Sequence, residues 1–376
     1  MLEKIQALRK ELHRYPELSG QEQDTAKRIR DFITSHNPAK IIENIGGNAM
    51  AALYEYPGPG PAVMIRCELD ALPIRETNRS EHRSLKEGIS HACGHDGHMA
   101  IVAGLVLRLR EQAFRRGKLL LLFQPAEETG KGAYKVMNNP GFKSLSPDYS
   151  FALHNIPGVP LHTIIVTENS FSCTVQSFAL HITGKAAHSA DPENGNHPAP
   201  ALGEIISELN RLNKENIQER DFALLTPVYM KMGAKDYGIS PGSGELHYTI
   251  RTRTDEEMNR LKSHIIQIIS NIVKNRKLKY EIDWFDYFPA VDNHPECNEF
   301  IINAARKNKF NIEPRTLPFR FGEDFGWFSQ NHKAAMFGIG AGVHTPALHQ
   351  PDYDFPDAII PTGMDMFMAV LVSLLQ

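Results

Sequence analysis

No C-x-x-C pair occurs in this chain of 376 residues, whose four cysteines (Cys67, Cys93, Cys173 and Cys297) are scattered. That spacing argues against a disulfide framework and for a reducing compartment. A basic excess is missing too. The formal net charge is -3, so electrostatics makes no case for a nucleic-acid partner. The clean apolar run at residues 119–123 is far short of the roughly 20 residues that a membrane-spanning helix needs. The opening MLEKIQALRKELHRYPE is charged and amphipathic from its first turn, and lacks the apolar core and cleavage site of a signal peptide. Internal repeats and low-complexity tracts are absent. Together these absences predict a cytoplasmic protein with neither nucleic-acid nor membrane partners. What the chain has in plenty is histidine, at 17 residues, which directs attention to metal ligands.

A chain of this length exceeds what one hydrophobic core organises, so two domains are expected. Leu2, Ile5, Leu8 and Leu12 recur at helical spacing and Pro16 closes that segment; Ala26, Ile29 and Ile33 share a face of a second helix over 21–35. Apolar segments at 49–54, 62–67, 118–123, 149–153 and 334–339 read as strands, with a helix over 98–112, the pattern of a mixed α/β domain. The middle of the chain differs. Phe178, Leu180 and Ile182 alternate over 174–183, and a helix follows over 199–212. Strands at 227–232 and 245–253, a helix over 255–275 and a strand at 279–285 complete the series. That β-α-β-β-α-β order is a ferredoxin-like domain. The expected division is a mixed-sheet α/β domain over 1–170 and 288–376, interrupted by an inserted ferredoxin-like domain over 171–287.

Polar groups collect just past several of these strands: Asp70, Gln124 to Glu128, His154, and a loop with His344 and His349. In an open α/β sheet, sites form outside the carboxyl ends of strands. The densest cluster is His91-Ala92-Cys93-Gly94-His95-Asp96-Gly97-His98. Gly94 allows a tight turn through which Cys93 and His95 address one centre. Thiolate and imidazole suit zinc, and imidazole with carboxylate also suits manganese, nickel or cobalt. Glu127 and Glu128, in an extended segment, would point to opposite sides and take different jobs, although such a pair taken alone reads as a solvated turn. His188, in the inserted domain, reads by itself as an exposed or structural histidine. Glu323-Asp324 reads as a helix N-cap.

The segments ELHRYPELSGQE, RCELDALPI, HACGHDGHMA, FQPAEETGKGA, HITGKAAHSADP, GEDFGWF and PALHQPDYDF follow one another along nearly the whole chain. In this order they resemble the aminoacylase and carboxypeptidase family of two-metal peptidases and amidohydrolases. The branch they resemble acts on N-acyl amino acids, as hippurate hydrolases and N-acetyl-diaminopimelate deacetylases do. The resemblance implies a catalytic metal-binding domain interrupted by a lid or dimerisation domain, and a possible homodimer through that insert. It makes Cys93, His95, Glu128, His154 and His349 the ligands of two divalent ions (zinc, manganese, nickel or cobalt). It makes Glu127 the general base, His188 a lid residue touching substrate, and Asp70 a group that orients a ligand. The substrate it implies is a small N-acylated amino acid or a short peptide, with an exopeptidase and a non-catalytic homologue as the alternatives. The sequence departs from the family's pattern at Glu68, where aspartate is usual. It also departs at Tyr237-Gly238-Ile239-Ser240-Pro241, which lacks the usual asparagine, at His247-Tyr248-Thr249, at Asp357 and at His197.

Overall fold

Amphipathic spacing at the start of the chain becomes α1 (Leu2–Arg14) and α2 (Gln23–Thr34) in the structure, a computed structural model that describes residues 1–35 and 40–376. Ile5, Leu8, Leu12, Ile29 and Ile33 are the buried stripe of this pair. Next come β1 (Lys40–Glu43), β2 (Met50–Glu55), β3 (Gly58–Glu68), α3 (His95–Leu109) and β4 (Arg116–Gln124). The short helices α4 (Gly132–Asn138) and α5 (Pro140–Lys143) lead to β5 (Tyr149–Ile156) and β6 (Ile164–Thr167). The middle segment holds β7 (Thr174–Thr183), β8 (Ala187–His188), α6 (Ala199–Leu212), β9 (Leu224–Met232), β10 (Ile239–Ser240), β11 (Ser243–Thr252), α7 (Asp255–Asn275) and β12 (Lys279–Phe288). The chain closes with α8 (Pro295–Lys307), β13 (Ile312–Arg315), α9 (Gly326–Ser329), β14 (Lys333–Gly340) and α10 (Ile360–Leu375).

Two compact units result. The first comprises Met1–Phe171, Val291–Pro318 and Glu323–Gln376; the second comprises Ser172–Ala290 and Phe319–Gly322. In the first unit an eight-stranded mixed sheet runs β1-β2-β4-β3-β5-β14-β6-β13. Its centre is parallel: β4, β3, β5 and β14 pair side by side in one direction. Parallel strands need both faces covered, which is why Leu119 to Phe123 can be apolar without a break and are all buried. Most residues of α3 and α10 are buried as well. The stretch Asp357–Leu375 has the length and hydropathy of a membrane span, but 72% of it is buried inside the fold, as a core helix is.

The second unit has the ferredoxin-like order expected for the insert. Its antiparallel sheet runs β12-β7-β11-β9. Alternation puts Phe178, Leu180, Ile182, Leu246, Tyr248 and Ile250 on one face, against Leu202, Ile205 and Leu209 of α6 and Ile265 and Ile269 of α7. Thr254 caps α7, its hydroxyl accepting from the Glu257 N–H at 3.2 Å. Strand β9 is the sheet's edge and leaves Val228, Tyr229, Met230 and Met232 exposed.

Candidate metal centre

Because β4, β3 and β5 run in parallel, the residues that follow or end them share one rim of the first unit. Asp70 lies two residues beyond β3, the Glu127-Glu128 pair three and four beyond β4, and His154 within β5, whose strand runs two residues past it. Two local readings of the sequence are corrected. The helix expected over 98–112 begins earlier, at His95, with Gly94 at its N-cap in the left-handed region at φ 94°. Glu127 and Glu128 are not extended: they form a 3-10 turn with Thr129, entered through Ala126 at φ 54°. The turn keeps both carboxylates near the same rim instead of sending them to opposite sides.

Cys93, His95 and His154 bring their ligand atoms within 4.8 Å of one another; so do Cys93, Glu128 and His349, and so do His95, Glu127 and Glu128. Cys93 belongs to two of these groups. Its Sγ is 3.6 Å from His154 Nε2, while His154 Nδ1 donates to the Asn155 carbonyl at 2.9 Å. His95 Nδ1 donates to the Asp70 carbonyl at 2.8 Å, which turns Nε2 toward Glu127 Oε2 and Glu128 Oε1, each 3.9 Å away. His349, at φ 64° in the last loop, has Nε2 3.7 Å from Glu128 Oε1, and its N–H donates to the Ala92 carbonyl. Asp70 is wholly buried; its Oδ2 accepts from Ser19 Oγ at 2.7 Å and from the Glu128 N–H at 3.0 Å. His188 lies in the second unit, exposed on β8 and paired with Ile239 of β10, its Nδ1 accepting from the Ala190 N–H.

Charge is crowded here. Burial, with Glu323 and Glu128 nearby, holds the Glu127 carboxyl well above its ordinary range. Burial also raises Glu128, to about 7. Burial opposes the charged form of His95, but Glu68, Glu128 and Asp70 outweigh it and lift the ring to about 8. Burial holds His154 neutral, down at about 3, and pushes the Cys93 thiol up. Asp70 Oδ1, His95 Nε2 and Glu128 Oε1 are buried polar atoms with no hydrogen-bond partner. Such orphans cost free energy unless something satisfies them. A mixed sulfur, nitrogen and oxygen donor set with unpaired, like-charged members fits divalent cations of the zinc type.

The acidic turn at Glu323-Asp324 is a correction of another kind. Neither residue is the N-cap of α9, which is Phe325. Both are buried, and both pair with Arg66, Asp324 at 2.6 Å and Glu323 at 3.0 Å. Sequence reasoning passed over this layer, which also takes in Glu68, His98, Asn155 and Gln124. His98 and Gln124 stood out in the sequence only as members of the motif clusters, and Glu68 only as a departure from the family's usual aspartate.

The model of peptidase family M20/M25/M40 matches residues 64–373. The chain is 30% identical over 374 residues to an N-acetylcysteine deacetylase of Bacillus subtilis (strain 168), covering 98% of this chain and 96% of that protein. It is 28% identical to the N-acetyldiaminopimelate deacetylase of Priestia megaterium, over 94% of this chain and 95% of the relative. Among solved structures, a dinuclear metal-binding peptidase of the M20 family from Bacillus subtilis superposes with a TM-score of 0.84 at 27% identity, covering 100% of this chain and 98% of that one.

Proposed function

The chain belongs to peptidase family M20/M25/M40, and on that premise we propose that it is a metal-dependent amidohydrolase that cleaves the amide bond of a small N-acyl amino acid. The observation that carries the proposal is the pair of ligand groups sharing Cys93, with buried atoms of His95 and Glu128 left unbonded. Cys93, His95, Glu128, His154 and His349 would hold two divalent ions. When bound, such ions ease the deprotonation of water at neutral pH and polarise a carbonyl.

The chain's own residues do the rest. Glu127 Oε2 lies 3.9 Å from His95 Nε2, at the edge of the ligand groups. There it takes the proton of the attacking water and later delivers it to the leaving amine. Its raised pKa suits a group that must hold that proton between the two steps. Asp70 fixes the His95 ring through its carbonyl and the Glu127-Glu128 turn through its carboxylate, as groups outside a metal's ligand shell do. The family resemblance supports His188 as a donor to the substrate. The relatives' substrates favour N-acyl amino acids over dipeptides. A cytoplasmic setting accords with four buried, free cysteines. The apolar edge of β9 is where a second copy of the insert would pair.

The test is amine release from a panel of N-acetyl and N-benzoyl amino acids beside free dipeptides, using protein resupplied separately with zinc, manganese, nickel or cobalt. Release from the N-acyl compounds is the expected result. Release from dipeptides alone would make the protein an exopeptidase, and silence with metal bound would make it a non-catalytic homologue.

A further inference from the structure

Beneath Cys93, His95 and Glu128 runs a set of buried polar side chains that the proposed chemistry does not use. Glu68 ends β3 with no exposed surface, and its two carboxylate oxygens take different partners. Oε1 accepts from Arg66 Nη1, and Oε2 is 2.7 Å from His98 Nδ1. His98 Nε2 in turn lies 2.6 Å from Asn155 Oδ1, and Asn155 Nδ2 donates to Tyr353 Oη at 2.5 Å. In the other direction, Arg66 donates to Asp324 Oδ1 at 2.6 Å and to Gln124 Oε1 at 2.9 Å. Tyr353, Asn155, His98, Glu68, Arg66 and Asp324 thus form one unbroken chain.

Both ends of that chain touch the metal centre. The His98 ring meets the His154 ring edge-on, centroids 4.9 Å apart, and Asn155 follows His154 in sequence. A Cβ on Gly94 would lie 2.5 Å from Asn155 Oδ1 and 2.9 Å from Tyr353 Oη, so this pair packs directly on the turn between Cys93 and His95. At the other end, the Asp324 N–H points at Glu127 Oε1, 3.4 Å away. Glu68, His95 and His98 are also close enough to surround an ion. There, however, Glu68 Oε2 and His98 Nδ1 face each other, and His98 Nε2 faces Asn155, instead of a common point.

We propose that Glu68 is a positioning residue for the metal centre: by holding His98 and Arg66 at once, it sets His154 and the Cys93 turn on one side and Glu127 on the other. The inference rests on reading Cys93, His95 and His154 as ligands and Glu127 as the base. Reach explains the glutamate, because an aspartate, shorter by about 1.5 Å, loses one of the two contacts.

The experiment titrates full-length, metal-stripped protein with cobalt(II), whose visible absorption reports thiolate and imidazole ligation, alongside thermal melts. E68Q and E68D are compared with I29A, a core change on α2 that touches none of this chain. The E68 variants should bind cobalt about 10–100-fold more weakly, with altered absorption. I29A should lose stability and change neither. In turnover, the E68 variants should lose kcat at an unchanged KM. Should they not fold, Y353F, which removes only the terminal hydroxyl, carries the test with a smaller change of the same kind. Wild-type cobalt affinity and absorption in the folded E68 variants, or in Y353F where they do not fold, would overturn the proposal. Because cobalt binding needs no substrate, a wild-type protein that binds cobalt yet releases no amine would sink the functional reading and leave this test in force.

Discussion

Two layers of polar residues lie against each other in the first unit, both carrying carboxylates and histidines and both buried, Glu128 a little less than the rest. In the lower one, Arg66, Glu68, His98, Gln124, Asn155 and Asp324 bond to one another or to the backbone. In the upper one, Asp70, His95 and Glu128 each keep a buried polar atom without a partner. Burial and charge alone do not separate the two. Satisfaction does: a layer whose groups bond among themselves is scaffold, and a layer that leaves donors and acceptors open is built for something that arrives later. Strain of this sort at a site, offset by order beneath it, is the usual relation between activity and stability.

The largest expected effect breaks the upper layer. Glu127→Gln should lower kcat by about 10²–10⁴-fold with metal content unchanged. In metal-free protein at neutral pH it should raise the melting temperature, since burial and the neighbouring carboxylates disfavour in the fold the ionised Glu127 that the unfolded chain carries. A Gln variant with near-native turnover would remove Glu127 from the role of base. The mirror experiment strikes the lower layer. Asp324→Ala takes one of three carboxylates from buried Arg66 and leaves Gln124 Nε2 and the Ala133 N–H without that partner, which should cost on the order of 1–3 kcal/mol of stability in a denaturant titration; a loss below 1 kcal/mol would mean that the layer is not scaffold. His188→Ala should lower turnover by about 10²-fold, as loss of one donor to a developing oxyanion does, with metal binding intact. Equal loss of both would contradict its assignment.

The smallest effect comes from a third buried group, His13. Its Nδ1 lies 2.8 Å from Asp96 Oδ2, and the net pull of Asp96 and Glu76 against burial raises its pKa from 6.5 to about 10. A raised pKa stabilises the fold fully below pH 6.5, and that stability is lost as pH rises toward 10. Thermal melts across this window should decline in the wild type, and His13→Asn should flatten the decline. An unchanged slope would place the alkaline sensitivity elsewhere.

How much of this was legible depends on range. The helices α1, α2, α6 and α7 and the alternating strands β7, β11 and β12 follow from local periodicity, and so does the ferredoxin-like order of the insert. Strands β1, β6 and β13 are four residues each and carry no pattern of their own; they exist because a neighbouring strand offers an edge. The upper polar layer was readable because its members cluster in short motifs past strand ends. The lower one was not readable as a layer, because His98 and Gln124 stand in those motifs but their partners do not. Arg66 and Asp324 are 258 positions apart, and Arg66 sits inside a strand where an arginine reads as exposed. The C-terminal helix α10, apolar nearly all round, went unread because its signal is composition without period.

The most direct measurement strips the protein of metal, returns a divalent ion in graded amounts, and follows bound metal and amine release from an N-acetyl amino acid together. The account predicts no turnover without metal, recovery that completes near two ions per chain, and neither binding nor recovery in Cys93→Ala, because that thiol is common to both ligand groups. Full turnover in stripped protein, or two bound ions in the Cys93 variant, would contradict it.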